Sequence, residues 1–163
     1  MTGMDAFLDR LNPDMCVVTA AAEGERAGCL VGFASQCSMQ PPRFVVWLSK
    51  VNHTFRVAGH ADRLTVHLLT REQHELAALF GGRTGDAGVD KFARVRWTQR
   101  PGGAVVLEDA PAWFVGRVVL RTDAGDHVGF VLDPVETGGR DGLDGPLLRL
   151  RDALGIPPGH PVD

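Results

Sequence analysis

The chain has 163 residues, of which 44% are apolar and 23% are charged, and its formal net charge is -3. These values fit one soluble domain with a continuous core, and they exclude proteins that bind nucleic acid or anionic membranes through a basic excess. No run approaches the roughly 20 apolar residues of a membrane span, and residues 1–10 lack the apolar centre of a signal peptide, so we expect a cytoplasmic protein.

The first half of the chain predicts one short helix, then a strand pair, then an isolated strand and a second helix. Glu23-Gly24-Glu25 is typical of a hairpin turn, Gln40-Pro41-Pro42 of a chain break, and Asn52 of a helix N-cap. The predicted elements are a helix over residues 5–11, strands over 15–21, 26–34 and 43–48, and a helix over 52–59.

The second half predicts a strand over residues 64–69, an amphipathic helix over 72–80 that Gly81-Gly82 closes, and a Gly/Asp-rich loop over 83–90. Two long strands follow over residues 112–121 and 127–135, with a turn at 122–126. The apolar patch at residues 146–150 fits either a final strand or a docking helix. One domain over residues 1–163, with a core at about 10–150 and a tail at 151–163, accounts for the pattern.

Several strands with only short helices indicate a mainly β fold, a barrel with peripheral helices. The glycines at 81, 82, 85 and 88 follow a helix rather than a strand, so they do not indicate a Rossmann phosphate loop. Cys16, Cys29 and Cys37 are an odd number without a Cys-x-x-Cys pair, which predicts neither disulfides nor a zinc site. His53, His60, His67 and His74 recur every seven residues but across different elements, so no metal site is expected.

Four segments, taken in order, carry a resemblance to a known family. Residues 28–42 run from small and hydroxyl side chains into Pro41-Pro42, and residues 45–54 are a strand followed by a polar cluster that ends in Thr54. Asp90-Lys91-Phe92 with Trp97, and Ala124-Gly125-Asp126-His127, are the other two. Over residues 10–150 the chain resembles the flavin reductase-like family of FMN-binding split barrels.

This resemblance implies a six-stranded Greek-key split β-barrel that works as a homodimer, with the flavin slot at the subunit interface. It also implies an NAD(P)H-dependent flavin reductase that binds FMN or FAD and passes hydride from the nicotinamide to flavin N5. Reduced flavin could then be supplied to a partner monooxygenase. The strands at residues 43–48 and 112–120 are the surfaces expected in the dimer.

The flavin phosphate is predicted to lie where the strand over 43–48 gives way to the helix at Asn52. A helix N-terminus favours an anion, and Lys50 and Thr54 add a cation and a hydroxyl. The predicted phosphate ligands are Ser49, Lys50, Asn52, His53 and Thr54. The alternative is a capped helix with a solvated lysine.

The flavin ring is predicted to lie against Val31 and Gly32, because glycine allows close backbone approach, with Ser35 and Gln36 at its polar edge. The resemblance puts Lys91 and Phe92 on a mobile loop over the cofactor, and it gives His127, beside Asp126, the role of seating the nicotinamide. Hydride transfer needs positioning rather than a general base.

Leu30-Val31-Gly32-Phe33 departs from the Thr-x-Asn-Ser that many members of the family carry. The departure leaves open two other interpretations, a flavin-binding electron carrier or sensor without reductase activity and a barrel that binds the deazaflavin F420.

Overall fold

The computed structural model describes residues 3–82 and 90–156. The helices are α1 (Asp5–Leu8), α2 (His53–Ala58) and α3 (His74–Gly81), with two 3-10 helices at Lys91–Arg94 and Leu150–Ala153. The strands are β1 (Cys16–Ala22), β2 (Glu25–Val31), β3 (Ala34–Met39), β4 (Pro42–Ser49), β5 (Arg63–Leu68), β6 (Trp97–Gln99), β7 (Val105–Leu107), β8 (Ala112–Asp123) and β9 (His127–Gly138). None of the helices in these residues has the length and apolar character needed to cross a bilayer.

Seven antiparallel strands form one sheet in the order β2-β1-β5-β8-β9-β4-β3, and β6 pairs with β7 as a separate hairpin. The two edge strands, β2 and β3, are consecutive in the chain and are joined only by Gly32 and Phe33. The sheet therefore curls until its edges meet at that connection. The mainly β barrel predicted from the sequence is confirmed, with seven strands in the sheet where six were expected.

The β1–β2 hairpin forms for a local reason. Its two-residue turn has Glu23 at φ 54° and Gly24 at φ 79°, and Ala22 pairs with Glu25 across the hairpin. Two central residues with positive φ are the type I′ geometry, whose twist matches that of paired strands. The hairpin predicted at Glu23-Gly24-Glu25 is confirmed.

Three predicted elements differ in the structure. The strand expected over residues 26–34 ends at Val31, and the polar segment expected as a loop after it is the edge strand β3. Backbone pairing to β4 holds β3, so it needs no apolar pattern of its own. The helix expected over residues 5–11 ends at Leu8, and the hairpin β6–β7 was not predicted.

The patch at residues 146–150 provides single bridges from Leu147 to Thr70 and from Arg149 to Asp14, and the chain then enters the 3-10 helix at Leu150. Most of the Gly/Asp-rich loop, residues 83–89, lies outside the described residues.

The two larger apolar cores lie on opposite sides of the sheet. The inner core fills the barrel and includes Val18, Leu64 and Phe130, which are almost fully buried. The outer core, which includes Leu69 and Phe80, packs α3, the 3-10 helices and the β6–β7 hairpin against the sheet. The barrel interior is thus filled by side chains, and any ligand must bind at a barrel end or on the surface.

One buried histidine ties the outer layer to the sheet. The N–H of Leu107 donates to His67 Nε2 at 2.9 Å, so the imidazole proton lies on Nδ1, which donates to the Val17 carbonyl at 2.8 Å. Burial lowers the pKa of His67 to about 4, and the bond to Val17 offsets only part of that shift. His67 is therefore a neutral cross-link between β1, β5 and β7.

Candidate functional site

A pocket of about 130 Å³ lies where the ends of β2 and β4 meet the start of β9. The antiparallel register pairs Ser49, the last residue of β4, with His127, the first residue of β9. The β2–β3 connection closes the third side. The residues that line the pocket are Cys29, Leu30, Val31, Gly32, Phe33, Trp47, Leu48, Ser49, Asn52 and His127.

Five of these lining residues, Val31, Gly32, Ser49, Asn52 and His127, were predicted as site residues from the sequence. The other five, Cys29, Leu30, Phe33, Trp47 and Leu48, were not. Apolar side chains at strand ends are ordinarily core residues, so their types alone gave no signal. The folded sheet, which brings β2 and its connection to β3 beside the ends of β4 and β9, places them at a pocket.

The late hairpin is fastened to the end of β4 by backbone and side-chain contacts. The Lys50 N–H donates to the Asp126 carbonyl at 2.9 Å, and the Lys50 ammonium lies 2.7 Å from an Asp123 carboxylate oxygen. The hydrogen bond from Lys50 holds the pKa of Asp123 below its usual value, with help from the Gly125 N–H. Lys50 is therefore a fixed cation just beyond the polar end of the pocket.

His127 is oriented by its neighbours on both sides. Its Nδ1 lies 2.7 Å from the Asp126 carboxylate, and its ring centroid lies 4.9 Å from that of Phe33, tilted by 50°. The hydrogen bond from His127 lowers the pKa of Asp126. The predicted pair Asp126–His127 thus does form one unit, although only His127 lines the pocket.

The backbone N–H groups at the start of α2 have more hydrogen-bond partners within the protein than the sequence suggested. Asn52 is the N-cap, and its side-chain oxygen accepts the Thr54 N–H at 2.8 Å, while its carbonyl accepts the Phe55 N–H at 3.1 Å. The N-cap prediction is confirmed. These two N–H groups already donate within the protein. An anion at this helix start would therefore have to be held by side chains.

His53 and Thr54 both turn away from the pocket lining. His53 Nε2 lies 2.6 Å from Glu25 on β2. Thr54 is buried, and its hydroxyl donates toward the Cys29 sulfur, while burial raises the pKa of the Cys29 thiol to about 11. Both side chains join α2 to β2 behind the pocket wall.

The remaining predicted residues lie outside the pocket. Ser35 and Gln36 are exposed on β3, where the Gln36 amide donates to the Ser38 carbonyl. Lys91 and Phe92 lie in a 3-10 helix and are buried, not on a loop over a pocket. The Lys91 ammonium donates to the carbonyls of Gly28 and Phe80, and burial lowers its pKa to about 8. The structure gives Lys91 and Phe92 a packing role.

Fold and pocket together define a split β-barrel with one half-apolar, half-polar pocket at a barrel end. The sequence model of the flavin reductase-like domain matches residues 8–155, and the chain belongs to this family.

Three known proteins illustrate the likeness. FMN reductase (NADH) RutF of Variovorax paradoxus (strain S110) is 32% identical over 118 residues, which are 72% of this chain and 64% of that protein. The protein of the same name from Ancylobacter novellus is 29% identical over 153 residues, 92% of this chain and 83% of its own length. This chain therefore spans just under two thirds of the Variovorax protein.

The third is a solved structure, the styrene monooxygenase flavin reductase (SMOB) from Pseudomonas putida S12. It superposes with a TM-score of 0.72 at 23% identity, covering 86% of this chain and 88% of that one. At this identity the likeness shows the shared split-barrel fold.

Proposed function

We propose that this protein is an NAD(P)H-dependent flavin reductase that binds FMN or FAD at the pocket formed by β2, β4 and β9. The observation that carries the proposal is the convergence of Gly32, Ser49 and His127, from three separate parts of the chain, on one pocket. Family membership and the name FMN reductase (NADH) of two relatives support the same activity.

The chemistry of the pocket wall fits a flavin. Val31, Phe33, Trp47 and Leu48 give it an apolar side, and Ser49, Asn52 and His127 give it a polar side. An isoalloxazine ring has flat apolar faces and one hydrogen-bonding edge, so it needs both kinds of surface. Gly32 adds backbone without a side chain at the β2 end.

The residues have distinct proposed roles. Lys50, held by Asp123, supplies the cation for the flavin phosphate, and Ser49 and Asn52 supply hydrogen bonds beside it. A bound flavin would supply, at N5, the acceptor for the hydride of NADH or NADPH. His127, fixed by Asp126, holds the nicotinamide in place, because bringing donor and acceptor into contact is the main catalytic requirement.

We also propose that the protein works as a homodimer. A pocket of about 130 Å³ is smaller than the ~300 Å³ or more of typical cofactor sites, so one copy encloses only part of a flavin. The side chains of Val119 and Leu120 on β8 leave apolar surface exposed for the interface, whereas Val45, Val46 and Leu48 of β4, the other strand expected there, are buried.

The dimer is tested by light scattering of the purified protein. We expect a mass of about 35 kDa, twice the 17.5 kDa of one chain. Replacing Leu120 with glutamate should produce the single-chain mass and weaken flavin binding together. Flavin bound tightly by a 17.5 kDa species would contradict the proposal.

Delivery of reduced flavin to a monooxygenase is the proposed role in the cell, supported by the structural likeness to the styrene monooxygenase reductase. A cytoplasmic location agrees with the three free cysteines, two of them buried.

Reductase activity is tested by anaerobic mixing of purified protein and FMN or FAD with NADH and, separately, with NADPH. Loss of the oxidised flavin absorbance is expected with at least one donor. Flavin that binds but stays oxidised with both donors would indicate the electron carrier. Binding of F420 without FMN or FAD would indicate the deazaflavin protein.

Replacing Lys50 with alanine should weaken FMN binding about 5- to 10-fold, because a partly exposed charge-assisted contact to phosphate is lost. Riboflavin, which has no phosphate, should bind both proteins equally well, and Lys50→Arg should retain most of the FMN affinity. Titration by flavin fluorescence measures all three. An equal loss for FMN and riboflavin would place the phosphate elsewhere.

A further inference from the structure

Phe33 is a large aromatic side chain at the rim of the pocket, and it is 60% exposed. Its backbone is fixed, since the Trp47 N–H donates to the Phe33 carbonyl at 2.9 Å. The exposed ring therefore lies on a rigid stretch of chain and faces a site that the proposed function fills.

The contact that Phe33 does make is with His127. The two ring centroids are 4.9 Å apart, in the range of attractive aromatic pairs. Asp126 holds the same imidazole at Nδ1, 2.7 Å away. The ring contact with Phe33 and the hydrogen bond to Asp126 together fix the plane and the rotation of the His127 imidazole.

A phenyl ring is suited to this role because it has no hydrogen-bonding atom. A serine or asparagine in the same position would compete for the imidazole nitrogens, whereas Phe33 restrains the ring only by packing. Among residues 3–82 and 90–156, Nε2 of His127 has no hydrogen-bond partner. That nitrogen is left for a ligand.

Trp47, the other large aromatic of the wall, has a different environment. It pairs with Gly129 in the β4–β9 register, and its ring lies directly over that glycine. Trp47 is thus a fixed inner wall, and Phe33 with His127 forms the rim that an entering ring meets.

We propose that Phe33 is a positioning residue that orients His127, and that the exposed face of Phe33 is an aromatic platform for a flat nitrogen heteroaromatic ring. This inference rests on the proposed function, and the ring is that of the flavin or of the nicotinamide.

Three variants test the proposal. Phe33→Ala removes the platform, Phe33→Leu keeps the bulk without the aromatic face, and Met39→Ala is the matched control, because Met39 is an exposed apolar residue of β3 outside the pocket lining. Each purified protein is titrated with FMN, with nicotinamide mononucleotide and with ribose 5-phosphate, which has no aromatic ring. The His127 tautomer is read from ¹⁵N spectra of the ligand-free proteins at pH 9.

The wild-type protein and Met39→Ala should both show the Nδ1-protonated tautomer of His127, and Phe33→Ala should show a mixture. Phe33→Ala should bind FMN or nicotinamide mononucleotide about 3- to 10-fold more weakly, Phe33→Leu should lie between, and ribose 5-phosphate should show no change. The ligand that loses affinity is the one that stacks.

An unchanged tautomer in Phe33→Ala would overturn the positioning role, and unchanged affinity for both ring-bearing ligands would overturn the aromatic platform. If the wild-type protein binds neither of those ligands, the proposed function is wrong and the aromatic platform is wrong with it. An unchanged tautomer in a variant of a flavin-binding protein refutes the positioning role alone.

Discussion

Replacing His67 with alanine is expected to reduce the free energy of unfolding by about 4 kcal/mol. The substitution leaves the Leu107 N–H buried without its imidazole partner, removes the imidazole hydrogen bond to the Val17 carbonyl and opens a cavity beneath the β6–β7 hairpin. The unsatisfied N–H costs about 1–3 kcal/mol, and the lost hydrogen bond and the cavity add to that. Urea unfolding at pH 7.5, followed by circular dichroism, measures the loss.

The same histidine gives the wild-type protein a defined dependence on pH. The pKa of His67 is about 4 in the folded state and 6.5 for the free side chain. Between pH 4 and 6.5, therefore, His67 is protonated in the unfolded chain and neutral in the folded protein. This contribution is complete above pH 6.5 and falls by about 3 kcal/mol as the pH drops to 4. The stability difference between wild type and His67→Ala should shrink over that window.

His60→Ala is the matched control, because His60 lies on the surface, with its Nδ1 3.8 Å from Glu23. Its unfolding free energy should stay within about 0.5 kcal/mol of the wild type. A His67→Ala protein as stable as His60→Ala would show that the cross-link is not needed. A gap that does not narrow on acidification would show that His67 is protonated in the folded protein.

Replacing Gly129 with valine is expected to abolish measurable flavin binding. A Cβ atom at this position would lie 2.7 Å from Trp47 Cζ3 and 2.8 Å from Cη2, which is far inside van der Waals contact. Trp47 lines the pocket, so its ring must move into the 130 Å³ space or the β4–β9 pairing must shift. Overpacking of this kind costs about 1–3 kcal/mol of stability as well.

Flavin titration and thermal unfolding of Gly129→Val measure the two effects. Gly145→Val is the control, since nothing lies within 4 Å of a Cβ built at Gly145. A double variant, Gly129→Val with Trp47→Ala, should regain folding stability because the clash is removed. Normal FMN affinity in the folded single variant would mean that flavin does not use this pocket.

The parts of the fold that were predictable are those coded locally. The type I′ turn at Glu23-Gly24 and the N-cap at Asn52 follow from a few adjacent residues. The edge strand β3 was missed because it is mostly exposed on both faces, so backbone pairing with β4 defines it and no apolar pattern does. The fully buried strand β7 is three residues long, too short to show a period.

The candidate site was predictable only where polar residues stood out. Ser49 was predicted as a phosphate ligand and His127 as a residue that seats the nicotinamide. The register of β4 with β9 pairs the two residues. Phe33 and Trp47 gave no signal, because an apolar residue carries no mark of facing a pocket. Lys91 was expected on a mobile loop over the cofactor, and a lysine is normally in solvent. In the structure its ammonium donates to two buried carbonyls.

The strand order has a consequence for synthesis on the ribosome. Without β8 and β9 the remaining strands make two separate pieces, β2-β1-β5 and β4-β3, and the pocket walls belong to both. Most wall residues leave the exit tunnel early, yet His127 and the strand pairing that joins the two pieces through the sheet come only with the final hairpin. Ligand capture by the nascent chain therefore has to wait until translation of the domain is nearly finished.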